Sequence, residues 1–270
     1  MLEIFKAIFL GIVQGITEWL PVSSTGHMIL VDQFLHLAGS KKFIDTFLVV
    51  IQFGSILAVL ILYFNKLNPF STRKSPKAKK ATWDLWIKVL IAVLPSGIIG
   101  VIFEDQIDRI FFRPSVVAAA LIIYGVIMIW IENRHKRPGI TKFSQVSYKT
   151  ALLIGLFQCL ALVPGTSRSG STIIGATLLG TSRYIAAEFS FFLAIPTMLG
   201  ASLLKLLKAG FAFTGFEWFI MLLGSLVAFI VSVIVIKFFM SYIKKHDFKA
   251  FGVYRIVLGI IVFIYFAIAG

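Results

Sequence analysis

Six long apolar runs decide what this chain can fold into. Each is long enough to cross a hydrocarbon core of roughly 30 Å, which takes about 20 helical residues. Backbone groups in lipid must satisfy one another, as they do in a helix. The sequence therefore predicts an all-α polytopic membrane protein, with residues 1–270 as a single membrane domain, and excludes a water-soluble globule. The runs lie near residues 43 to 64, 85 to 103, 115 to 132, 184 to 207, 217 to 239 and 250 to 269.

The excess of positive charge is distributed unevenly between the two sides that these spans define. The net charge is +14, and most of the 26 Lys and Arg residues fall on one side. Because Lys and Arg collect in cytoplasmic loops, we expect the basic side to be cytoplasmic and both termini to lie outside. This assignment makes the basic run Arg73–Lys80 a topology signal, so no nucleic-acid partner is predicted. The cytoplasmic set comprises residues between Lys66 and Lys88, between Arg134 and Lys149, Arg183, and residues between Lys237 and Arg255.

Two further segments are apolar but interrupted by a polar turn. In the segment over 150–183, the tip Pro164–Gly170 is followed by a short arm, Ser171–Thr181. That arm makes about 16 Å of helix, too little to cross. The N-terminal segment has the same design, with its tip at Pro21–His27. Because residues 1–20 contain polar residues and lack a cleavage pattern, we expect them to belong to the mature fold. We expect both segments to be re-entrant helical hairpins, which enter the membrane and return.

The two interrupted segments also match in sequence, which indicates a duplication. The sequence predicts an inverted-topology repeat, since one hairpin enters from outside and the other from the cytoplasm. Its halves are residues of about 1–132 and 150–270, and the basic cytoplasmic loop 133–149 joins them. Such repeats place their sites near the midplane, where half-helix N-termini point at anionic groups. The matches are Gly11 and Gln14 with Gly155 and Gln158, then, at an offset of 143, Pro21, Ser23, Ser24 and Asp45 with Pro164, Thr166, Ser167 and Glu188.

Ionisable residues within the membrane are candidates for function because they are costly to insert. Glu18 and Arg168 are the sharpest cases. Gln14 lies four residues before Glu18 and shares its helix face, so the two offer oxygens to a hard divalent cation, Mg²⁺ or Ca²⁺. A structural ion pair between Glu18 and Arg168 is the alternative, and it does not exclude function.

The tips carry the residue types that bind phosphate. Arg168 lies among hydroxyls and glycines at the start of a helix, which together make an oxyanion cradle. His27 follows Ser24 by three residues and is predicted to act as general base or to position a nucleophile, with a helix cap as the alternative. The substrate-binding candidates are Gln14, Ser23, Thr25, Gly165, Thr166, Ser167 and Ser169.

The motifs Gln14–His27 and Pro164–Thr172 resemble the two signature regions of bacterial undecaprenyl-pyrophosphate phosphatases of the bacitracin-resistance type, and the likeness covers essentially the whole chain. The resemblance implies an enzyme of the bacterial cytoplasmic (inner) membrane. It would remove the terminal phosphate of undecaprenyl pyrophosphate, recycle the carrier lipid for peptidoglycan synthesis and confer bacitracin resistance. It also implies a divalent cation and a site facing the outer side.

Carried over residue by residue, the family's acidic pair falls on Gln14 and Glu18, its serine and histidine on Ser24 and His27, and its phosphate-binding arginine on Arg168. Gln14 is the less acidic variant, so Glu18 must do more of any metal binding. Water or Ser24 as the attacking group is left open, as is a homodimer. The alternative function is a transporter or flippase of phosphorylated polyprenyl lipids, because inverted repeats with broken helices are transporter architecture.

Overall fold

The computed structural model describes residues 1–134, 137–210 and 212–269, without the side chains at 104, 108 and 269. His135 and Lys136 of the predicted basic loop lie outside the described residues. The helices are α1 Leu2–Thr17, α2 Ser24–Phe34, α3 Lys41–Leu62, α4 Phe64–Leu67, α5 Pro76–Phe111, α6 Pro114–Asn133, α7 Tyr148–Cys159, α8 Arg168–Leu178, α9 Arg183–Ala209, α10 Gly215–Tyr242 and α11 Lys249–Ala269.

Six of these helices, α3, α5, α6, α9, α10 and α11, are long and apolar enough to cross a membrane. The prediction of an all-helical protein with six membrane-spanning helices is confirmed, and no strand forms within the described ranges. Many large apolar side chains on the outside of the bundle are exposed, Leu222 and Ile234 among them. An apolar exterior of this extent suits lipid rather than water. The chain is therefore a multi-pass membrane protein.

The two interrupted segments each consist of a longer arm, a turn and a short helix. α1 is followed by α2, and α7 continues into a 3₁₀ turn, Leu160–Leu162, before α8. Each short helix begins after a serine with a left-handed backbone, φ 72° at Ser23 and φ 74° at Ser167. Each serine caps its helix, since its Oγ accepts from the backbone N–H of Gly26 (3.3 Å) or Gly170 (3.1 Å).

This shared cap geometry corrects the alignment of the tips. The conformations pair Ser23 with Ser167, which is an offset of 144, whereas the sequence match at 143 pairs Ser24 with Ser167. The equivalent first helical residues are therefore Ser24 and Arg168. The reason is one extra residue between the proline and the helix start in the second tip, which the match by residue identity does not reveal.

Packing gives the two longer arms similar surroundings. α1 packs against α10, and α7 packs against α5, while α3 lies between α9 and α10 and α6 pairs with α11. Each arm makes its contact through a glycine. A Cβ on Gly11 would lie 2.6 Å from the carbonyl oxygen of Gly224, and one on Gly155 would lie 2.1 Å from that of Ala92. Small residues of this kind let membrane helices approach closely.

Candidate active site

A cavity of about 200 Å³ lies between the two tips. Residues of α3 and α9 close its other sides. Its volume suits a head group rather than a long lipid tail. The lining residues are Ser23, Ser24 and Thr25 of the first tip with Glu18 just before it, Pro164, Gly165, Ser167, Arg168 and Ser169 of the second tip with Ala161 and Val163 just before it, Gln52 of α3, and Thr197, Met198 and Ala201 of α9.

The Glu18 carboxylate joins the two tips. Its Oε1 accepts from Nη2 of Arg168 at 2.9 Å, and its Oε2 accepts from the Ser24 hydroxyl and from Nε2 of Gln14, each at 3.0 Å. The Glu18 residue is 7% exposed, so the pair is largely shielded from solvent. The tips meet, as predicted, and the Glu18–Arg168 ion pair, which is the alternative interpretation of these two residues, is also present and lines the cavity.

The Arg168 guanidinium is held from two further sides. Its Nη1 donates to the carbonyl oxygen of Ser190 at 2.8 Å, and the group lies over the buried ring of Trp19, 5.7 Å from its centroid. Its Nε is buried without a hydrogen-bond partner among the described residues. The guanidinium is thus held in a fixed orientation by protein contacts and lines the cavity.

The hydroxyls of the second tip also hold the first tip in place. Ser169 Oγ donates to the carbonyl oxygens of Leu20 (3.1 Å) and Glu18 (3.3 Å). Ser167 Oγ lies 3.2 Å from the Ser169 hydroxyl. These bonds fix the backbone that carries Glu18. The Ser169 hydroxyl is therefore engaged in joining the tips, a contact that the sequence did not predict.

Most of the predicted site residues come together, and three do not reach the cavity. Gln14 lies behind Glu18 and contacts it from the α1 side. Thr166 is fully buried in the turn. His27 is not part of the cavity lining. The predicted residues that do line the cavity are Glu18, Ser23, Ser24, Thr25, Gly165, Ser167, Arg168 and Ser169.

The contacts of His27 define its tautomer. Its Nδ1 lies 2.7 Å from the carbonyl oxygen of Ser23, which can only accept, so Nδ1 carries the proton. Nε2 of the neutral ring then accepts from the Tyr254 hydroxyl at 2.6 Å. Burial lowers the pKa of the imidazole, the bond to Ser23 opposes this, and the charge of Arg255 lowers the pKa further. With both nitrogens engaged, His27 braces the tip, and its role as general base stays a prediction.

Sequence reasoning missed several residues that shape the site. Arg255, counted above with the cytoplasmic basic residues, is fully buried in the described structure and contacts both tips. Tyr254, its neighbour in α11, contacts His27. The carbonyl oxygen of Ser190 in α9 accepts a hydrogen bond from Arg168. The sequence did contain a signal for Arg255, because this arginine lies six residues inside the apolar run that forms α11. An ionisable residue within a membrane helix is a candidate for function, and the same argument that selected Glu18 and Arg168 applies to it.

The donor set fits a divalent cation only when substrate supplies most of the ligands. Among the described residues, no group of three or more His, Cys, Asp or Glu side chains could hold a metal ion. Glu18 is the carboxylate in the cavity lining, beside amide and hydroxyl oxygens. Mg²⁺ typically uses one or two carboxylates together with phosphate oxygens. The described residues therefore fit a cation that arrives with a phosphate, and among them no complete set of metal ligands is present.

A second, larger cavity of about 540 Å³ lies elsewhere, at the ends of α6, α9 and α10. Its Arg183 pairs with the buried carboxylate of Glu132, which also accepts from the backbone N–H of Phe248. The Glu132 carboxylate is thus engaged by the Arg183 side chain and by the backbone at the start of α11. We assign the chemistry to the smaller cavity because it alone, among the described cavities, combines a hydroxyl, a carboxylate and a guanidinium in mutual contact.

The fold and the site together define a multi-pass membrane protein with a buried carboxylate, hydroxyl and guanidinium arranged around an anion-sized cavity. The comparisons with known proteins narrow this class. The family model described as Bacitracin resistance protein BacA matches residues 7–261, and the chain belongs to this family.

Curated relatives resemble the chain along its full length. It is 74% identical over 266 residues to undecaprenyl-diphosphatase 1 of Clostridioides difficile (strain 630), covering 98% of this chain and 97% of that protein. It is 60% identical over 268 residues to the undecaprenyl-diphosphatase of Acetivibrio thermocellus, covering 98% of each chain. The undecaprenyl-diphosphatase of Enterococcus faecalis is 58% identical over 271 residues, covering 99% of this chain and 98% of that protein.

Proposed function

We propose that this chain removes the terminal phosphate of undecaprenyl pyrophosphate, yielding undecaprenyl phosphate and recycling the lipid carrier for peptidoglycan synthesis. Bacitracin resistance fits the same activity. One observation carries the proposal: the Ser24 hydroxyl and the Arg168 guanidinium both donate hydrogen bonds to the Glu18 carboxylate. The relatives that match along the full length are named undecaprenyl-diphosphatase. A diphosphate needs a fixed cation to bind it and a proton acceptor beside its attacker, and this triad offers both.

Binding of the diphosphate falls to Arg168 and the starts of α2 and α8. The first backbone N–H groups of a helix lack intrahelical acceptors and favour anions. Both short helices begin at the cavity, with Ser24 and Arg168 as their first residues. Phosphoryl transfer is assisted chiefly by positioning and by stabilising charge on the phosphoryl oxygens. A divalent cation beside Glu18 would neutralise part of that charge when bound with the substrate.

Ser24 is the proposed nucleophile and Glu18 its base. The Ser24 Oγ forms a bond to the terminal phosphorus while the bond from that phosphorus to the bridging oxygen breaks, and its electron pair leaves with undecaprenyl phosphate. Glu18 accepts the hydroxyl proton over the observed 3.0 Å contact. Water then hydrolyses the phosphoserine and releases orthophosphate. In the alternative, Glu18 activates a water that attacks directly and no phosphoserine forms.

The test uses purified protein in detergent with a prenyl pyrophosphate labelled in its terminal phosphate. We expect release of labelled orthophosphate, together with acid-stable label on Ser24 after rapid quenching. Label that appears in orthophosphate without ever residing on protein favours direct attack by water. Tight binding of substrate with no release at any cation concentration contradicts the phosphatase and supports the carrier alternative.

The finer membrane arrangement is also a proposal: two re-entrant hairpins in an inverted repeat, an outward-facing site and both termini outside, in the bacterial cytoplasmic membrane. It is supported by the parallel roles of Gly11 and Gly155 and by the matching caps at Ser23 and Ser167. Two ion pairs add support. Asp45 pairs with Lys205 at one end of the α3–α9 contact, and Glu188 with Lys66 at the other.

Labelling tests this arrangement, starting from a Cys159→Ala background because Cys159 is the sole cysteine. We expect an impermeant maleimide applied to spheroplasts to modify cysteines placed at Leu2 and His36, the two ends of the first hairpin. A cysteine at Lys77 should react only after the membrane is opened. All three positions are exposed. Labelling of Leu2→Cys and His36→Cys from opposite sides would exclude a re-entrant hairpin.

A further inference from the structure

The guanidinium of Arg255 reaches the backbone of both tips at once. Arg255 lies in α11 and is completely buried. Its Nη1 donates to the carbonyl oxygen of Pro21 at 3.1 Å, in the first tip. Its Nη2 donates to those of Gly165 and Thr166, each at 2.9 Å, in the second. One side chain thus connects two turns that lie more than 140 residues apart in sequence.

The partners of this charge are unusual. Among the described residues, Arg255 forms no ion pair with a carboxylate. Its contacts are carbonyl oxygens and the face of the Tyr124 ring, 5.8 Å from the guanidinium carbon. A buried charge without a counter-ion is expensive, and only several good charge-assisted hydrogen bonds offset the cost. Because burying this cation is costly, we infer that its hydrogen bonds have a role that an apolar side chain of similar size could not fill.

The three carbonyls belong to the turns that determine where the catalytic groups point. Pro21 lies two residues before Ser23, and Gly165 and Thr166 immediately precede Ser167. Ser23 and Ser167 are the residues with left-handed backbone that cap α2 and α8. A non-glycine residue holds such a conformation only when its surroundings enforce it. Arg255 supplies part of that enforcement in both turns.

A second feature shows that the structure makes room for this contact. Gly170 lies in the first turn of α8, and a Cβ there would come within 3.0 Å of Nη1 of Arg255 and 3.1 Å of the Ser167 Cβ. The absence of a side chain at Gly170 therefore lets the guanidinium lie against the second tip.

We propose that Arg255 is a positioning residue for the phosphatase reaction, a strut that sets the spacing and orientation of the two tips so that Ser24, Glu18 and Arg168 converge on one phosphorus. The inference rests on the proposed function and deepens it. Arg255 is not in the cavity lining and acts through the backbone of the tips. Its planar fork is suited to this, because two nitrogens donate in diverging directions, whereas a lysine ammonium is a point charge on a flexible stem.

The test compares Arg255→Lys and Arg255→Met with Arg183→Met as a matched control. Arg183 is a half-exposed arginine that pairs with the Glu132 carboxylate at a distance from the tips, so it reports the loss of an arginine outside the site. We expect kcat to fall about 100-fold in Arg255→Met and about tenfold in Arg255→Lys, because a displacement near 1 Å costs on that order. KM should change by less than about threefold, since Arg168 still binds the phosphates. Arg183→Met should lose thermal stability and keep kcat.

A purely structural role for Arg255 predicts another pattern. Both Arg255 variants would then lose thermal stability while kcat per folded molecule stays at the wild-type value, and that result overturns the proposal. If Arg255→Met does not fold, Arg255→Lys decides alone: wild-type kcat in the lysine variant also overturns it. Failure of the proposed function is recognisable separately, because the wild-type protein would then release no phosphate. A Gly170→Ala variant, which presses on Nη1, should lower kcat in the same way as Arg255→Lys.

Discussion

The two tips have the same backbone design but contribute different chemistry. In both, a serine with left-handed backbone caps a short helix that begins at the cavity. The first residue of that helix is a hydroxyl, Ser24, in one tip and a guanidinium, Arg168, in the other. The position that Glu18 occupies before the first tip corresponds, at the offset of 144, to Leu162 before the second. Under the proposed function, the same backbone design thus carries a nucleophile with its base in one tip and an anion-binding cation in the other.

Removing the Ser24 hydroxyl, which distinguishes the first tip from the second, is expected to cause the largest loss of activity. We expect Ser24→Ala to lower kcat by about 10⁴-fold or more, since removing a nucleophile costs at least this in enzymes with a covalent intermediate. Phosphate release from a labelled prenyl pyrophosphate measures it, with thermal unfolding in detergent as the check on folding. A loss of less than tenfold would mean that water is the attacking group. The Ser24 hydroxyl would then have no covalent role, and the first tip would contribute chiefly the Glu18 carboxylate.

The next largest losses of activity are expected for the Glu18–Arg168 ion pair, which joins the two tips. Glu18→Gln and Arg168→Gln should each lower kcat about 10³-fold, near the upper end of the loss for one oriented charge-stabilising group. The double variant should be little worse than either single one, because the two groups contact each other and act together. Arg183→Gln, at the distant ion pair, serves as the control. Losses that multiply in the double variant would show that Glu18 and Arg168 act independently.

The main parts of the site could be predicted from the sequence, because the relevant signal is local and costly. A glutamate and an arginine inside apolar segments stand out by their insertion cost, and the short arms follow from helix length. Side-chain partners could not be predicted in this way. Nothing in the spacing of Ser24 and His27 shows that the imidazole meets Tyr254, because that contact depends on where α11 packs.

Arg255 and the alignment of the tips show two further limits. Counting charge by loop assigns Arg255 to the cytoplasmic side, since it lies near the start of the last span, yet it is buried against the tips. Matching residue types gives an offset of 143, while backbone conformation gives 144. Identity of side chains and identity of φ angle are separate properties, and only coordinates report the second.

His27 has no counterpart of the same type in the second tip, where the offset of 144 gives Ser171. As a brace, His27→Gln should lower kcat about tenfold, within the range for lost positioning, and Tyr254→Phe should do the same. Because burial lowers the pKa of His27 from 6.5, the stability due to the neutral ring is present above that value and is lost as the pH falls through the lower folded-state pKa.

The pH profile of kcat checks this role. If His27 only positions the tip, the acidic limb of the profile persists in His27→Gln, since the proposed proton acceptor is Glu18. For a general base, the limb disappears and kcat drops at least 100-fold, as expected for lost acid–base catalysis. Tyr254→Phe is the matched variant because it removes one bond to the ring and leaves the imidazole in place.

The smallest effects concern the longer arms, where the comparison rests on two glycines. Gly155→Ala should destabilise more than Gly11→Ala, because its Cβ would lie 2.1 Å rather than 2.6 Å from a backbone oxygen of the neighbouring helix. Overpacking of this kind typically costs about 1–3 kcal/mol. Gly97→Ala in α5 is the control: nothing lies within 4 Å of its Cβ, and alanine gains about 1 kcal/mol over glycine in a helix. Thermal unfolding in detergent should rank the three accordingly. Equal losses at Gly11 and Gly155 would mean that both arms can shift to relieve the clash, so that the tips, more than the arms, fix the geometry of the site.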